Sequence, residues 1–122
     1  MKEAISLDGI VTYAPYTPGI QHGQHFWLSG QIAIDGREDI TSQTEGALVK
    51  IDALLEAGGL SKNDICFAQV LLDTIDDYGA MNEVYGAWLE GVEIKPTRAA
   101  FAVDALPADA LVEIVVQAVK ND

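Results

Sequence analysis

Arg98 is the first residue whose type and setting suggest chemistry. It follows Pro96 and Thr97 at the start of a run made of alanine, phenylalanine and valine, and it is one of only seven basic residues. A guanidinium in such an apolar setting can bind a substrate carboxylate through two parallel hydrogen bonds. The alternative is a structural ion pair with one of the nineteen acidic side chains, since charges in proteins are often paired without any catalytic role.

Glu113 is the second candidate for chemistry. It lies between Val112 and Ile114 in a strongly apolar segment. Partial burial raises the pKa of a carboxyl group, so that the group can act as an acid or a base near neutral pH. The alternative is a structural partner for Arg98 or for a donor from another subunit, because a buried charge must be paired in either role.

Four further residues are candidates for ligand contact. Gly30 would let a ligand approach backbone N–H groups closely, and the neighbouring Ser29 offers a hydroxyl. No Gly-x-Ser-x-Gly turn surrounds Ser29, so we do not predict a nucleophilic serine. Tyr16 and Asn82 are polar groups in apolar settings, where either a ligand contact or a structural hydrogen bond would account for them.

We expect no metal and no cofactor. His22 and His25 lie three residues apart without a nearby cysteine or third histidine, which favours ordinary surface histidines. Cys66 lies in an apolar segment with no flanking base, so we expect a small core residue and not a nucleophile. No phosphate loop or dinucleotide-binding glycine motif is present. Among reactions that need neither a metal nor a cofactor, we expect proton transfer or the addition of water.

The composition excludes several classes of protein. The chain has 122 residues, of which 49% are hydrophobic, so we expect one domain over residues 1–122 with a substantial core. Seven basic against nineteen acidic residues give a net charge of −12, which argues against nucleic-acid binding. A single cysteine excludes an internal disulfide and suits a reducing compartment.

Neither the first residues nor the longest uncharged stretch predicts export or membrane insertion. The start of the chain lacks the apolar core of a signal peptide. Residues 9–34 carry no Asp, Glu, Lys or Arg, but they include two prolines, four glycines and two histidines, which would leave polar groups unsatisfied in lipid. We therefore expect a rigid loop followed by a buried strand there, and a cytoplasmic protein without membrane contact.

The apolar periodicity predicts an α+β fold with two helices and five or six strands. One helix is predicted over residues 42–57, ending at Gly58 and Gly59, and a second over residues 76–90 with Asp76 as its N-cap. The apolar stripe of the second helix consists of Met81, Val84, Tyr85, Trp88 and Leu89. Strands are predicted over residues 3–7, 25–29 with a continuation over 31–34, 65–72, 97–103 and 111–119.

The sheet is predicted to be apolar on both faces, although two helices can cover only one of them. In the last strand, Val112, Ile114 and Val116 alternate with Glu113 and Val115. In the segment 65–72, the alternation places Ile65, Phe67 and Leu71 on one face and Cys66, Ala68, Val70 and Leu72 on the other. An apolar face without helices drives association, so we expect a cyclic homo-oligomer of undetermined size with Glu113 on its inner side.

Several sequence blocks, taken together and in order, match one family. They are Ala14-Pro15-Tyr16-Thr17-Pro18-Gly19, Leu28-Ser29-Gly30-Gln31-Ile32, Gln43-Thr44, the segment 54–60, Met81-Asn82-Glu83-Val84-Tyr85, Pro96-Thr97-Arg98-Ala99-Ala100 and Leu106-Pro107 followed by Val112-Glu113-Ile114. With these blocks the chain resembles the RidA (YjgF/L-PSP) family of reactive-intermediate deaminases over essentially its whole length.

The resemblance implies a chorismate-mutase-like fold with a mixed sheet, and a homotrimer with the sheets facing inward and sites between subunits. Arg98 matches the arginine that binds the substrate carboxylate, and Glu113 matches the glutamate that holds the attacking water. Tyr16 matches the tyrosine of the cleft, Ser29 and Gly30 match the pair beside the ligand, and Asn82 matches a motif asparagine. Two positions depart from the common pattern, with Ala100 in place of a cysteine and Lys50 in place of an asparagine.

The implied activity is hydrolytic deamination of 2-imino or 2-enamino acids, such as 2-iminopropanoate and 2-aminoacrylate, to 2-oxo acids and ammonia. Arg98, Glu113 and Tyr16 would be catalytic, and Ser29, Gly30 and Asn82 would bind the substrate. One alternative is a non-catalytic binder of small carboxylates, for which Arg98 is equally suited. A ribonuclease, a label that some relatives carry, is the third, and the net charge of −12 argues against it.

Overall fold

The structure, a computed structural model, describes residues 1–10, 12 and 14–121, so residues 11 and 13 of the predicted rigid loop lie outside the described residues. Six strands form one mixed sheet in the order β1-β2-β3-β6-β4-β5. The β4–β5 pair is parallel and the other pairs are antiparallel. The elements in chain order are β1 (Glu3–Ile5), β2 (Gly19–His22), β3 (His25–Leu28), α1 (Ile40–Ala57), β4 (Ile65–Leu72), α2 (Tyr78–Trp88), β5 (Thr97–Ala102) and β6 (Val112–Val119). The predicted α+β class is confirmed.

The first hairpin of the sheet differs from the prediction. Strand β2 was expected to be part of a loop, but it pairs with β3 across the two-residue turn Gly23-Gln24, where Gly23 has a φ of 61°. The polar side chains of Gln21 and His22 concealed this strand, because they interrupt the apolar alternation. The predicted continuation over residues 31–34 is wrong as a strand, since only the isolated bridge between Gln31 and Ile114 forms there.

Helix α1 confirms the first helix prediction and begins two residues earlier. The Asp39 side chain accepts a hydrogen bond from the backbone N–H of Ser42 at 2.8 Å and so caps the first turn. The helix ends where expected, at Gly58, and Gly59 adopts a φ of 76°. Its apolar stripe is buried in the core and consists of Ala47, Leu48, Ile51, Leu54 and Leu55.

The start of α2 is a correction. Asp76 is not the N-cap, because the Thr74 side chain accepts a hydrogen bond from the Asp76 N–H at 3.2 Å and caps a short 3₁₀ turn over Ile75–Asp77. The α-helix then begins at Tyr78 and ends at Trp88, two residues before the predicted end. Met81, Tyr85 and Leu89 of the predicted stripe are buried, whereas Val84 and Trp88 are only half-buried.

Both helices pack on one face of the sheet and leave the other face without helices. On β6, Val112, Ile114 and Val116 are fully buried beneath the helices, and Glu113 lies on the opposite face as predicted. On that opposite face, hereafter the bare face, Trp27 and Phe101 are 40% and 42% exposed. Among the described residues, no helix is long and apolar enough to cross a membrane.

The predicted alternation in β4 is wrong at its start. An irregularity in the pairing with β6 lies between Ile65 and Phe67, so Ile65 and Ala68 both point into the core. Cys66 is therefore exposed, and the expectation of a core cysteine is corrected. Period-two alternation could not reveal this, because a bulge adds one residue to the strand.

Candidate functional site

Arg98 lies on the edge strand β5, and its side chain packs against α2. Its Nη1 donates a hydrogen bond to Oδ1 of Asn82 at 2.6 Å, and its Nη2 donates one to the Tyr78 hydroxyl at 2.9 Å. The guanidinium carbon lies 5.0 Å from the ring centroid of Tyr85 and 5.6 Å from that of Tyr78. Within the described part of the chain no carboxylate pairs with Arg98, so the ion-pair alternative is wrong there. Among the described residues, the half-buried positive charge is held by neutral groups only.

The residues that hold Arg98 share one face of α2. Tyr78, Asn82 and Tyr85 are spaced four and three residues apart, which places them on successive turns of the same side. Asn82 is predictable from the sequence as a site residue, whereas the two tyrosines are not, because Tyr85 fits the apolar stripe of α2 and Tyr78 lies in the region predicted as the start of the helix. Their spacing relative to Asn82 was the signal that could have found them.

Glu113 lies on the bare face of β6, opposite Leu71 of β4. It is half-buried, and this burial raises the pKa of its carboxyl group. Gly30 lies directly against it, since a Cβ atom at position 30 would lie 2.8 Å from the Glu113 carboxyl carbon and closer still to Oε2. The backbone of the next residue, Gln31, exchanges two hydrogen bonds with Ile114, of 2.9 and 3.1 Å, which fixes this approach.

Ser29 connects the end of β3 to the proline-rich segment before β2. Its hydroxyl donates to the carbonyl of Thr17 at 2.6 Å, and its backbone N–H donates to the carbonyl of Pro18 at 2.8 Å. Tyr16, which precedes Thr17 in this segment, is 47% exposed. It lines a cavity of about 410 Å³ together with Gln31 and with Lys50, whose amine donates to the Ile32 carbonyl at 2.7 Å. Ser29, Gly30 and Glu113 therefore lie close together. Tyr16 is connected to them because the carbonyl of its neighbour Thr17 accepts the hydrogen bond from Ser29.

Arg98 and Glu113 point to opposite faces of the sheet. Ala68 of β4 pairs with Arg98 on one side and with Val116 on the other, and both Ala68 and Val116 are buried beneath the helices. Glu113 is three residues from Val116, and an odd separation along a strand reverses the face. One chain therefore does not bring the two predicted catalytic side chains together.

Neither Arg98 nor Glu113 lines either of two prominent cavities among the described residues. The larger, of about 510 Å³, lies between the two helices, where Leu48, Val84 and Trp88 line it. The smaller is the one beside Tyr16. No cluster of three or more His, Cys, Asp or Glu side chains suitable for a metal ion occurs within the described ranges, and His22 and His25 are exposed at the β2–β3 turn.

Comparison with known proteins identifies the family. A sequence model of the family described as Endoribonuclease L-PSP matches residues 7–120 of the chain. The chain belongs to the RidA (YjgF/L-PSP) family. The predicted resemblance is thereby confirmed.

Three similar proteins illustrate the range of names in the family. A RutC family protein of Pyrococcus horikoshii is 39% identical over 121 residues, which cover 93% of this chain and 94% of the relative. A protein of Mus musculus named 2-iminobutanoate/2-iminopropanoate deaminase is 31% identical over 88% of this chain and 82% of its own. The crystal structure of RidA from an Antarctic Psychrobacter species superposes with a TM-score of 0.90 at 32% identity, covering 97% of this chain and 99% of that one.

Proposed function

We propose that this protein hydrolyses 2-imino acids, and the 2-enamino acids with which they exchange, to 2-oxo acids and ammonia. The observation that carries the proposal is the half-buried guanidinium of Arg98, which is held by Asn82 and Tyr78 without a carboxylate partner among the described residues. The name of the mouse relative supports the same reaction.

Arg98 would bind the substrate carboxylate. A guanidinium has five N–H donors, of which Asn82 and Tyr78 use two, so three have no partner among the described residues and can bind an anion. The neutral partners fix the orientation of the group without neutralising its charge. In a chain with a net charge of −12, such an uncompensated cation provides the local attraction that an anionic substrate needs.

Glu113 would hold and activate the attacking water. Its raised pKa suits a base that must also return a proton near neutral pH. Water adds across the C=N bond, so that its oxygen binds the imine carbon and Glu113 passes a proton to the nitrogen. The carbinolamine then expels ammonia and loses its hydroxyl proton, which leaves a 2-oxo acid. Gly30 N–H, Ser29 and the Tyr16 hydroxyl would complete the pocket.

The site would be assembled from two copies of the chain. Because Arg98 and Glu113 face opposite sides of the sheet, a substrate between them needs Arg98 from one subunit and Glu113 from its neighbour. The exposed Trp27 and Phe101 on the bare face favour association through that face. We propose the chorismate-mutase-like homotrimer with inward-facing sheets that the family resemblance implies.

The test is the decay of 2-iminopropanoate and 2-iminobutanoate, generated in the assay by an amino-acid oxidase and trapped by semicarbazide. The wild-type protein should accelerate the loss of both imines and the release of ammonia. Arg98→Ala should abolish this acceleration and leave the oligomer intact, as measured by light scattering. Full activity in Arg98→Ala would overturn the mechanism.

A second variant separates the enzyme from a non-catalytic binder. Glu113→Gln should lose turnover but still bind 2-oxobutanoate, because the carboxylate contact is made by Arg98 and not by Glu113. If the wild-type protein binds 2-oxobutanoate and never accelerates imine decay, the protein is a binder. Cleavage of RNA is not proposed, since the chain carries nineteen acidic against seven basic residues.

A further inference from the structure

We propose that the Tyr78 hydroxyl is a second donor of the anion site, and that it binds the same carboxylate as Arg98. The inference rests on the proposed function and adds to it a residue that determines specificity. Tyr78 lies in the first turn of α2, and its hydroxyl accepts a hydrogen bond from Nη2 of Arg98 at 2.9 Å.

The proton of this hydroxyl is available to a ligand. A phenol can accept one hydrogen bond and donate another, and Tyr78 uses only its oxygen toward Arg98. No acceptor for its proton is found among residues 1–10, 12 and 14–121. The side chain is 37% exposed, so an anion can reach it from solvent.

Arg98 also makes the hydroxyl a better donor. Accepting a hydrogen bond from a cation polarises the O–H bond and strengthens the bond that its proton makes in turn. The ring of Tyr78 also lies 5.6 Å from the guanidinium carbon, so a cation–π contact holds the two side chains beside each other. A carboxylate bound to the free edge of Arg98 would then meet an aligned O–H group beside the guanidinium.

Tyr85 offers a matched control on the same helix. It is also a tyrosine near Arg98, but it belongs to the core, and its hydroxyl is buried without a hydrogen-bond partner in the described part of the chain. Tyr78→Phe and Tyr85→Phe therefore remove the same atom and retain both rings. Only the first removes a hydroxyl that an incoming ligand can reach.

The experiment measures the dissociation constant of 2-oxobutanoate for the intact oligomer by calorimetry, alongside steady-state kinetics with 2-iminobutanoate. Tyr78→Phe should weaken binding about tenfold or more, because a hydrogen bond to a charged group is lost. It should raise KM with kcat little changed, since the carboxylate is bound equally in the ground state and the transition state. Tyr85→Phe, which keeps the ring beside the guanidinium, should weaken binding clearly less than Tyr78→Phe.

A 3-fluorotyrosine introduced only at position 78 separates donation to the ligand from support of Arg98. Its phenol is a stronger donor and a weaker acceptor than that of tyrosine. Measured below its phenol pKa, it should bind 2-oxobutanoate as tightly as tyrosine or more tightly. Weaker binding would show that the hydroxyl serves only as an acceptor for Arg98, and would overturn the inference.

The possible failures are distinguishable. If the wild-type protein turns over 2-iminobutanoate and Tyr78→Phe binds 2-oxobutanoate like the wild type, this inference is wrong and the proposed function stands. If the wild-type protein neither binds 2-oxobutanoate nor accelerates imine decay, both are wrong. Thermal unfolding of each variant confirms that the chain is folded when it is assayed.

Discussion

Replacing Gly30 with alanine should inactivate the site without unfolding the protein. The added Cβ would lie 2.8 Å from the Glu113 carboxyl carbon, whereas ordinary contact begins at 3.4 Å, so the carboxylate must retreat by at least about 0.6 Å (3.4 − 2.8). Misplacement of a catalytic group by about 1 Å can cost about 100-fold in rate, so we expect a loss of about 10- to 100-fold. Because overpacking by one methyl group typically costs about 1–3 kcal/mol, the stability cost should stay below about 3 kcal/mol.

The assay is the rate of 2-iminopropanoate decay, with urea unfolding to measure stability. Gly86→Ala is the matched control. Gly86 lies in the interior of α2, and a Cβ atom added there would have no neighbouring atom within 4 Å. Gly86→Ala should keep full activity and gain about 0.5–1 kcal/mol of stability from higher helix propensity. Undiminished activity in Gly30→Ala would refute the reasoning.

Three further predictions concern buried, strained and titrating groups. Tyr85→Phe should raise the free energy of unfolding by about 1 kcal/mol in urea, because it removes a buried hydroxyl that has no partner among the described residues, and a destabilised variant would contradict this. Ala108→Gly should stabilise the chain by about 0.5–1 kcal/mol, since Ala108 has a φ of 55° in the turn before β6, and an unchanged unfolding midpoint would refute it. Burial raises the pKa of Glu113, so the folded state holds this proton more tightly than the unfolded state, and the carboxyl's contribution to stability is present at acid pH and lost as pH rises through the raised pKa. Glu113→Gln should therefore gain stability over the wild type as pH rises, and wild-type activity should fall as pH drops through the same pKa; a stability difference independent of pH would contradict the assignment.

Much of the fold followed from local patterns in the sequence. Helix α1 was predicted because an apolar stripe at helical spacing ends at Gly58 and Gly59. The face of Glu113 was predicted because its neighbours Val112 and Ile114 alternate with it in β6. Both signals lie within one element and need no knowledge of the rest of the chain.

The errors arose where another element decides the structure. Strand β2 forms because the edge of β3 is free to pair with it, although Gln21 and His22 show no apolar alternation. Cys66 is exposed because a register shift against β6 turns it outward, and the partner strand is not visible from the local sequence. Helix α2 begins at Tyr78 because the Thr74 side chain caps the preceding turn in place of Asp76.

The candidate site, like the fold, could be predicted from the sequence only in part. Arg98 and Glu113 could be singled out by residue type, since each is a charged group in an apolar strand. The two tyrosines beside Arg98 could not, because a parallel β4–β5 pair and the packing of α2 place Tyr78 and Tyr85 next to it. The two charged groups face opposite sides of the sheet, and only the register of three strands reveals this.

Subunit complementation tests most directly whether two copies of the chain build each site. Arg98→Ala and Glu113→Gln are produced separately, and then together so that their subunits mix in one oligomer. Each variant alone should be inactive toward 2-iminopropanoate. A one-to-one mixture should recover about a quarter of wild-type activity, because chance then pairs an intact Arg98 with an intact Glu113 from its neighbour at one site in four. A mixture as inactive as its parents, with mixed oligomers demonstrated by native mass spectrometry, would contradict the account.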